Sequence, residues 1–228
     1  MALWAISDLH LAFNQDKPMD IFGQNWEKHE EKIRNNWIEK IKEEDTIIIA
    51  GDISWSINIE EGFEDLKWVH SLPGKKIMVR GNHDYWWQGI NKLNSLYDNM
   101  KFIQNNFFAY EDCAICGTRG WILPNNSNFT EHDKKIYARE CIRLKLSLDA
   151  AVKKGYNKII VATHYPPIYE GTEKNEVLDI LHEYGVETVI YGHLHGPSLK
   201  KAFNGVKDDI KYIMTSSDYL DFNPILIK

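Results

Sequence analysis

The sequence is short of cysteine: Cys113, Cys116 and Cys141 are its three thiols in 228 residues. A small odd number excludes a disulfide framework as the basis of the fold and points to a reducing compartment. No apolar run approaches the length needed to span a bilayer. The N-terminal MALWAISDLH lacks the basic segment and long apolar stretch of a secretory signal. The expectation is a cytoplasmic protein with no membrane association. Positive charge is also scarce, with 27 Lys and Arg against 33 Asp and Glu and a formal net charge of -6. Nonspecific nucleic-acid binders are usually basic, so nucleic acid is a possible but not a favoured partner. An acidic average leaves phosphate chemistry open, because bound metal ions reverse the local potential. Internal repeats, low-complexity tracts and Pro/Gly/Ser linkers are missing, and residues 1–228 read as a single domain.

What is present is an ordinary globular balance of 43% hydrophobic and 26% charged residues. Five short apolar runs stand out: Leu3–Ile6, Ile47–Ala50, Ile77–Val79, Ile159–Ala162 and Thr188–Tyr191. None alternates with polar residues, which suits strands buried on both faces. Helical patterns lie between them. Trp26, Ile33, Trp37 and Ile41 share a face, with Asn25 as candidate N-cap. Phe63, Leu66 and Val69 mark a helix that stops at Leu72-Pro73-Gly74. Trp86, Ile90, Leu93 and Tyr97 mark another. Ile136, Cys141, Leu144, Leu148 and Val152 mark a long one behind a Thr130-x-x-Asp133 capping box. Val177, Ile180, Leu181 and Tyr184 mark the last. Strands alternating with helices predict a largely parallel sheet. Phe102 to Gly117 reads as strands with no helix between, and Ile210–Met214 and Ile225–Ile227 as further strands. A second sheet follows. The expected class is α/β, a four-layer sandwich of two packed mixed β-sheets flanked by α-helices.

Each apolar run is followed by a metal-type ligand. Ser7-Asp8-Leu9-His10 follows the first, Gly51-Asp52 the second and Gly81-Asn82-His83-Asp84 the third. His164 follows the fourth, and Gly192-His193-Leu194-His195 the fifth. Functional groups gather at the carboxyl ends of strands in open α/β sheets, so these distant segments are expected to converge. In extended chain, residues two apart point the same way, which would bring Asp8 with His10 and His193 with His195 to one site. Gly51, Gly81 and Gly192 precede ligands where the chain must turn sharply and a cation approach the backbone. Carboxylate, imidazole and amide oxygen suit Mn, Fe, Zn or similar ions. Thiolate is absent from the set, which argues against a Cys-rich structural zinc site. Asp8, His10, Asp52, Asn82, His164, His193 and His195 are too many for one tetrahedral ion. They fit two ions sharing a carboxylate, a device for phosphoryl hydrolysis.

These motifs resemble those of the calcineurin-like metallophosphoesterase family, in the family's order and over most of the chain. The resemblance implies two packed mixed sheets flanked by helices. It implies a first ion held by Asp8, His10, Asp52 and His195, and a second held by Asp52, Asn82, His164 and His193, with Asp52 bridging. His83 would stabilise or protonate the leaving oxygen, and Asp84 would orient and charge His83. Gly51-Asp52-Ile53-Ser54-Trp55 lacks the acidic and Arg residues of the protein Ser/Thr phosphatase branch, and Asp84 stands where that branch has Glu. The expected function is hydrolysis of a phosphomonoester or phosphodiester by a metal-bridged hydroxide. The substrate would be a small organic phosphate, a nucleotide or a cyclic nucleotide. The alternatives are a noncatalytic scaffold that binds a protein partner, and a DNA nuclease.

Several residues carry two readings. Cys113-x-x-Cys116 invites a redox or zinc role, but it lies inside an apparent strand with no matching Cys or His pair, which favours packing. Of Trp86 and Trp87, one packs into the core and the other, Trp87, lines the substrate pocket. Arg119 is either a phosphate clamp or a structural ion pair with Glu140. Tyr165, next to His164, is a candidate substrate contact. The polar stretch 11–25 reads as a rim or lid. His29 and His132 are read as surface residues.

Overall fold

The computed structural model describes residues 1–228. Its strands are β1 (Leu3–Ile6), β2 (Thr46–Ile49), β3 (Lys75–Met78), β4 (Met100–Phe102), β5 (Phe108–Tyr110), β6 (Cys113–Thr118), β7 (Lys158–Thr163), β8 (Val186–Tyr191), β9 (Gly205–Lys207), β10 (Ile210–Met214) and β11 (Ile225–Leu226). Its helices are α1 (His29–Lys40), α2 (Phe63–Ser71), α3 (Ile90–Leu93), α4 (Glu131–Val152) and α5 (Glu176–Glu183). The strands form a five-stranded sheet ordered β11-β1-β2-β3-β4 and a six-stranded sheet ordered β5-β6-β7-β8-β10-β9. Only β11, β5 and β9 run antiparallel to their neighbours, so both sheets are mixed. No helix is long and apolar enough to cross a membrane.

The apolar runs fail to alternate because both faces of each sheet are covered. In β2, Ile47 and Ile49 pack with Ile33, Trp37, Leu66 and Val69 from α1 and α2. Ile48 points the other way and joins Ala5 and Ile77 against Ile115, Ile160 and Ile190 of the facing sheet. On the far side, Val161 and Val189 pack with Cys141, Leu144 and Leu148 of α4 and Ile180 and Leu181 of α5. The layers run helix, sheet, sheet, helix, as the sequence predicts.

Local expectations fare less well at element ends. Helix α1 begins at His29 and Asn25 does not cap it, because Lys28 adopts a left-handed φ of 51° and breaks the helix from the 3-10 turn that holds Trp26. Trp86 is not helical: its indole Nε1 donates to Asp84 at 3.0 Å, and α3 starts only at Ile90. Val152 is exposed, and the buried stripe of α4 runs through Tyr137, Glu140, Cys141, Leu144, Ser147, Leu148 and Ala151. The capping box at Thr130 and Asp133 is present. Strand β9 carries too little apolar character to stand out in the sequence.

Candidate metal centre

The carboxyl ends of β1, β2, β3, β7 and β8 meet at one end of the two sheets. The strands do not simply stop there. Past β1 the chain runs beside the chain past β2, with Asp8 N donating to Gly51 O at 2.9 Å and His10 N to Asp52 O at 3.0 Å. It also crosses to the other sheet, with Ser7 N donating to Thr215 O at 2.8 Å beyond β10. The convergence of Asp8 and His10 has a different cause from the extended alternation expected of them. Their φ angles are 59° and 47°, and Asp52 and His193 are also left-handed at 52° and 75°. Such angles cost a side chain steric energy and persist only where the surroundings enforce them. The glycines serve a related purpose. A Cβ on Gly81 would lie 2.0 Å from Asp52 Oδ1, and one on Gly192 would lie 2.3 Å from Asp8 Oδ2. At these two positions the absence of a side chain makes room for protein carboxylates.

Two trios of donor atoms result: Asp8, His10 and His195, and Asp52, His164 and His193. In the first, His10 Nε2 lies 3.3 Å from His195 Nε2, which lies 3.3 Å from Asp8 Oδ1. In the second, His164 Nε2 lies 3.2 Å from His193 Nδ1 and 3.4 Å from Asp52 Oδ2. Neighbouring donors of a tetrahedral ion with bonds of about 2.1 Å stand about 3.4 Å apart. Asn82 Oδ1 adds a contact of 2.7 Å to His164 Nε2. Asp52 Oδ2 lies between the trios, 3.8 Å from His10 Nε2 as well.

Protons show that each trio suits a cation. Burial favours neutral imidazoles, yet Asp52 and Asp8 outweigh it and push His164 up to about 9. Asp8 and Asp218 likewise push His195 up to about 10 against burial. Burial pulls His10 and His193 down to about 3. Burial alone would raise Asp8 and Asp52, but the imidazoles hold both carboxyls well below their usual range. The raised values thus favour one imidazolium in each trio near neutral pH, a proton more than neutral imidazoles carry. A metal ion requires free imidazole, so its entry displaces that proton. Titration of metal-free protein with Mn at pH 7.5 is expected to release about two protons per chain, read as the buffer dependence of calorimetric heat. Release should diminish above about pH 10, beyond both raised values.

Surrounding groups fix the donors. His164 Nδ1 donates to Ala50 O at 3.0 Å, which turns Nε2 into the site. His195 Nδ1 does the same to Asp218 Oδ1 at 2.8 Å. Ser7 and Ser216 hydroxyls donate to Asp8 Oδ2 at 2.7 and 2.8 Å. Sequence reasoning misses Asp218. It follows β10 as the ligands follow the other strands, but four residues later and without a motif. Partners of this kind orient ligating imidazoles and raise their basicity. Asp218→Ala is expected to weaken metal affinity about 10–100-fold, read by competition with a fluorescent chelator.

A model of the calcineurin-like phosphoesterases matches residues 1–197. The chain belongs to the calcineurin-like phosphoesterase family. This phosphoesterase is accordingly a metal-dependent phosphoric ester hydrolase. The Gene 66 protein of Mycobacterium phage L5 is 22% identical over 196 residues, 86% of this chain and 78% of that one. The phosphopantetheinyl hydrolase PptH from Mycobacterium tuberculosis superposes with a TM-score of 0.51 at 17% identity, over 94% of this chain and 88% of that one. TT1561 of Thermus thermophilus does so at 0.57 and 12% identity, over 99% and 97%. At such identities the likeness to the solved structures is one of fold.

The remaining candidates of the phosphoesterase divide by position. His83 borders the site: its side chain is 32% exposed and its Nε2 lies 4.0 Å from Asp52 Oδ2. Its backbone N–H donates to Asp52 Oδ1 at 2.8 Å. Asp84 does not pair with it. The Asp84 carboxylate is fully buried and accepts from the backbone N–H groups of Gly81, Asp52, Ile53 and Ser54 and from Trp86 Nε1. It organises the turn that carries Asp52. Trp55, another residue the motifs do not flag, stacks on His10 at 4.9 Å and leans on His83 at 4.1 Å between ring centroids. Tyr165 packs on His193 at 4.1 Å. Arg119 makes the ion pair with Glu140 Oε1, at 3.7 Å. Trp86 and Trp87 are both buried, and Trp87 also edges a cavity beside Arg119. His29 is buried behind the site, its Nε2 3.3 Å from His10 O, and is not a surface residue. His132 is exposed. The three cysteines are free and buried, and burial pushes Cys116 and Cys141 up to about 12, so neither is a reactive thiol.

Proposed function

We propose that residues 1–228 act as one domain that hydrolyses a phosphomonoester or phosphodiester of a small organic phosphate, nucleotide or cyclic nucleotide at two divalent transition-metal ions. The observation that carries this reading is the pair of donor trios facing each other across Asp52 Oδ2. Asp8, His10, Asp52 and His195 would hold one ion, and Asp52, Asn82, His164 and His193 the other. Nitrogen and oxygen donors without thiolate suit Mn, Fe or Zn. Bound there, the ions would supply Lewis-acid neutralisation of phosphoryl oxygens and ionise water near neutral pH. The chain's own part is position and proton transfer. Trp55 and Tyr165 wall the site and hold His10, His83 and His193 in place. His83, partly open to solvent and beside Asp52, is placed to donate from Nε2 to a leaving oxygen. Burial lowers its pKa while Asp52 counters. Three free buried thiols support a cytoplasmic location.

The test is a metal-supplemented screen over mono-, di- and cyclic phosphoesters, with elemental analysis of the same sample. The expected result is about two transition-metal ions per chain and turnover of p-nitrophenyl phosphate or its bis-ester. A fully loaded protein inert toward the whole panel would overturn the reading in favour of a binding scaffold. Nicking of DNA in preference to small esters would move it to a nuclease.

A further inference from the structure

A cavity of roughly 270 Å³ opens beside the metal centre between the ends of β3 and β6. Arg80, Trp87, Gln88, Arg119, Glu140 and Arg143 are among its walls. Arg80 precedes the Gly81-Asn82 turn, and the backbone carbonyl of Arg119 accepts from His164 N at 3.1 Å, so the cavity shares its supports with the metal ligands. Trp121 and Tyr165 bridge the two: Arg119 lies 4.6 Å over the Trp121 ring, Trp121 is 5.1 Å from Tyr165, and Tyr165 is 4.1 Å from His193.

The charge in this cavity is poorly compensated. Three guanidiniums line it against one carboxylate. That carboxylate, Glu140, already accepts from Arg143 Nη1 at 2.8 Å and Thr118 Oγ1 at 2.5 Å. Arg119 is left with the longer 3.7 Å contact to it. Its side chain is only 14% exposed, and its Nε is buried without any hydrogen-bond partner. Arg80 donates from Nε to Asp84 O at 3.1 Å, and its terminal nitrogens make no hydrogen bond or ion pair within the protein. Burial lowers the Arg119 pKa, Glu140 opposes that shift, and Arg80 nearby adds to it. Like charges and buried unbonded donors in one place are costly unless an anion completes them.

We propose that this cavity is an anion subsite, in which the Arg80 and Arg119 guanidiniums bind a second anionic group of the substrate while its scissile phosphoryl lies at the metal centre. The inference rests on the hydrolase reading and narrows it to substrates with two anionic groups. Phosphate and carboxylate both match a guanidinium fork. Trp87, whose indole Nε1 donates to Gln104 at 3.0 Å, gives the subsite an apolar edge against which the linking scaffold packs.

The test compares three probes on the Mn-loaded enzyme: p-nitrophenyl phosphate with no second anion, 3-phosphoglycerate with a carboxylate, and adenosine 3',5'-bisphosphate with a phosphate. The readout is the ratio of kcat/KM for each doubly anionic ester to that for p-nitrophenyl phosphate. Arg119→Gln and Arg80→Gln are expected to lower that ratio about tenfold for the ester whose second anion the subsite takes. Arg119→Lys, which keeps the charge without the fork, should fall between and serves if Arg119→Gln does not fold. Ratios unchanged in all variants, or turnover of p-nitrophenyl phosphate alone, would overturn the subsite and leave the hydrolase reading standing. Inertness toward all three probes with turnover of bis(p-nitrophenyl) phosphate would overturn the subsite alone; inertness toward that diester as well would overturn the hydrolase reading, and the subsite with it.

Discussion

Asp52→Asn is expected to lower turnover of p-nitrophenyl phosphate by about 10³-fold while leaving the fold intact. Asp52 Oδ2 is the atom between the two donor trios, and its charge faces both. An amide offers one neutral oxygen and an NH2 group that repels a cation, so the centre loses the carboxylate that would serve two ions. The backbone is protected by the other oxygen. Asp52 Oδ1 accepts from His83 N at 2.8 Å, a bond that an Asn oxygen can keep. Metal content should fall from about two ions per chain to about one or fewer. In chelator, where the ions contribute nothing, the thermal midpoints of variant and parent should agree within a few degrees. Turnover within tenfold of the parent with both ions bound would sink the assignment of Asp52.

The strand-end rule makes most of the centre legible. It brings Asp8, Asp52, Asn82, His164 and His193 together because each follows an apolar run, and apolar runs are what two buried sheets require. Backbone handedness at those positions is not legible. Left-handed angles at Asp8, His10, Asp52 and His193 depend on contacts from chain far away in sequence. Trp55 stands out in the sequence only as a departure from another branch, since stacking on His10 is a tertiary fact with no local signature. Asp218 carries the clearest missed signal. The strand Ile210–Met214 is recognisable, and the same rule applied to its end reaches an acidic residue within four positions. Helix starts fail where a single residue, Lys28, takes a conformation that its side chain does not favour.

Asp84 is where adjacency in sequence misleads, and its replacement should report on stability instead of proton transfer. The left-handed turn at Gly51-Asp52 points backbone N–H groups inward, and Asp84 accepts three of them, from Asp52, Ile53 and Ser54, plus Gly81 N and the Trp86 indole, at 2.7 to 3.2 Å. Burial and Asp52 push its pKa up to about 6, while the donors favour its charged form. Five N–H groups converging on two oxygens leave no room for a proton between them. Asp84→Asn would set an NH2 group against backbone donors, and Asp84→Ala would strand all of them in the interior. Either change is expected to cost about 3–5 kcal/mol of unfolding free energy, a fall of about 6–20 °C in the midpoint for a chain of this size. His83→Ala should do the reverse, lowering kcat about 10²–10⁴-fold with stability changed by about 1 kcal/mol or less. Unfolding in urea with chelator present, set beside turnover of the loaded enzyme, separates the two. An Asp84→Asn variant as stable as the parent but catalytically impaired would restore the acid–base pairing with His83 and refute a purely architectural Asp84.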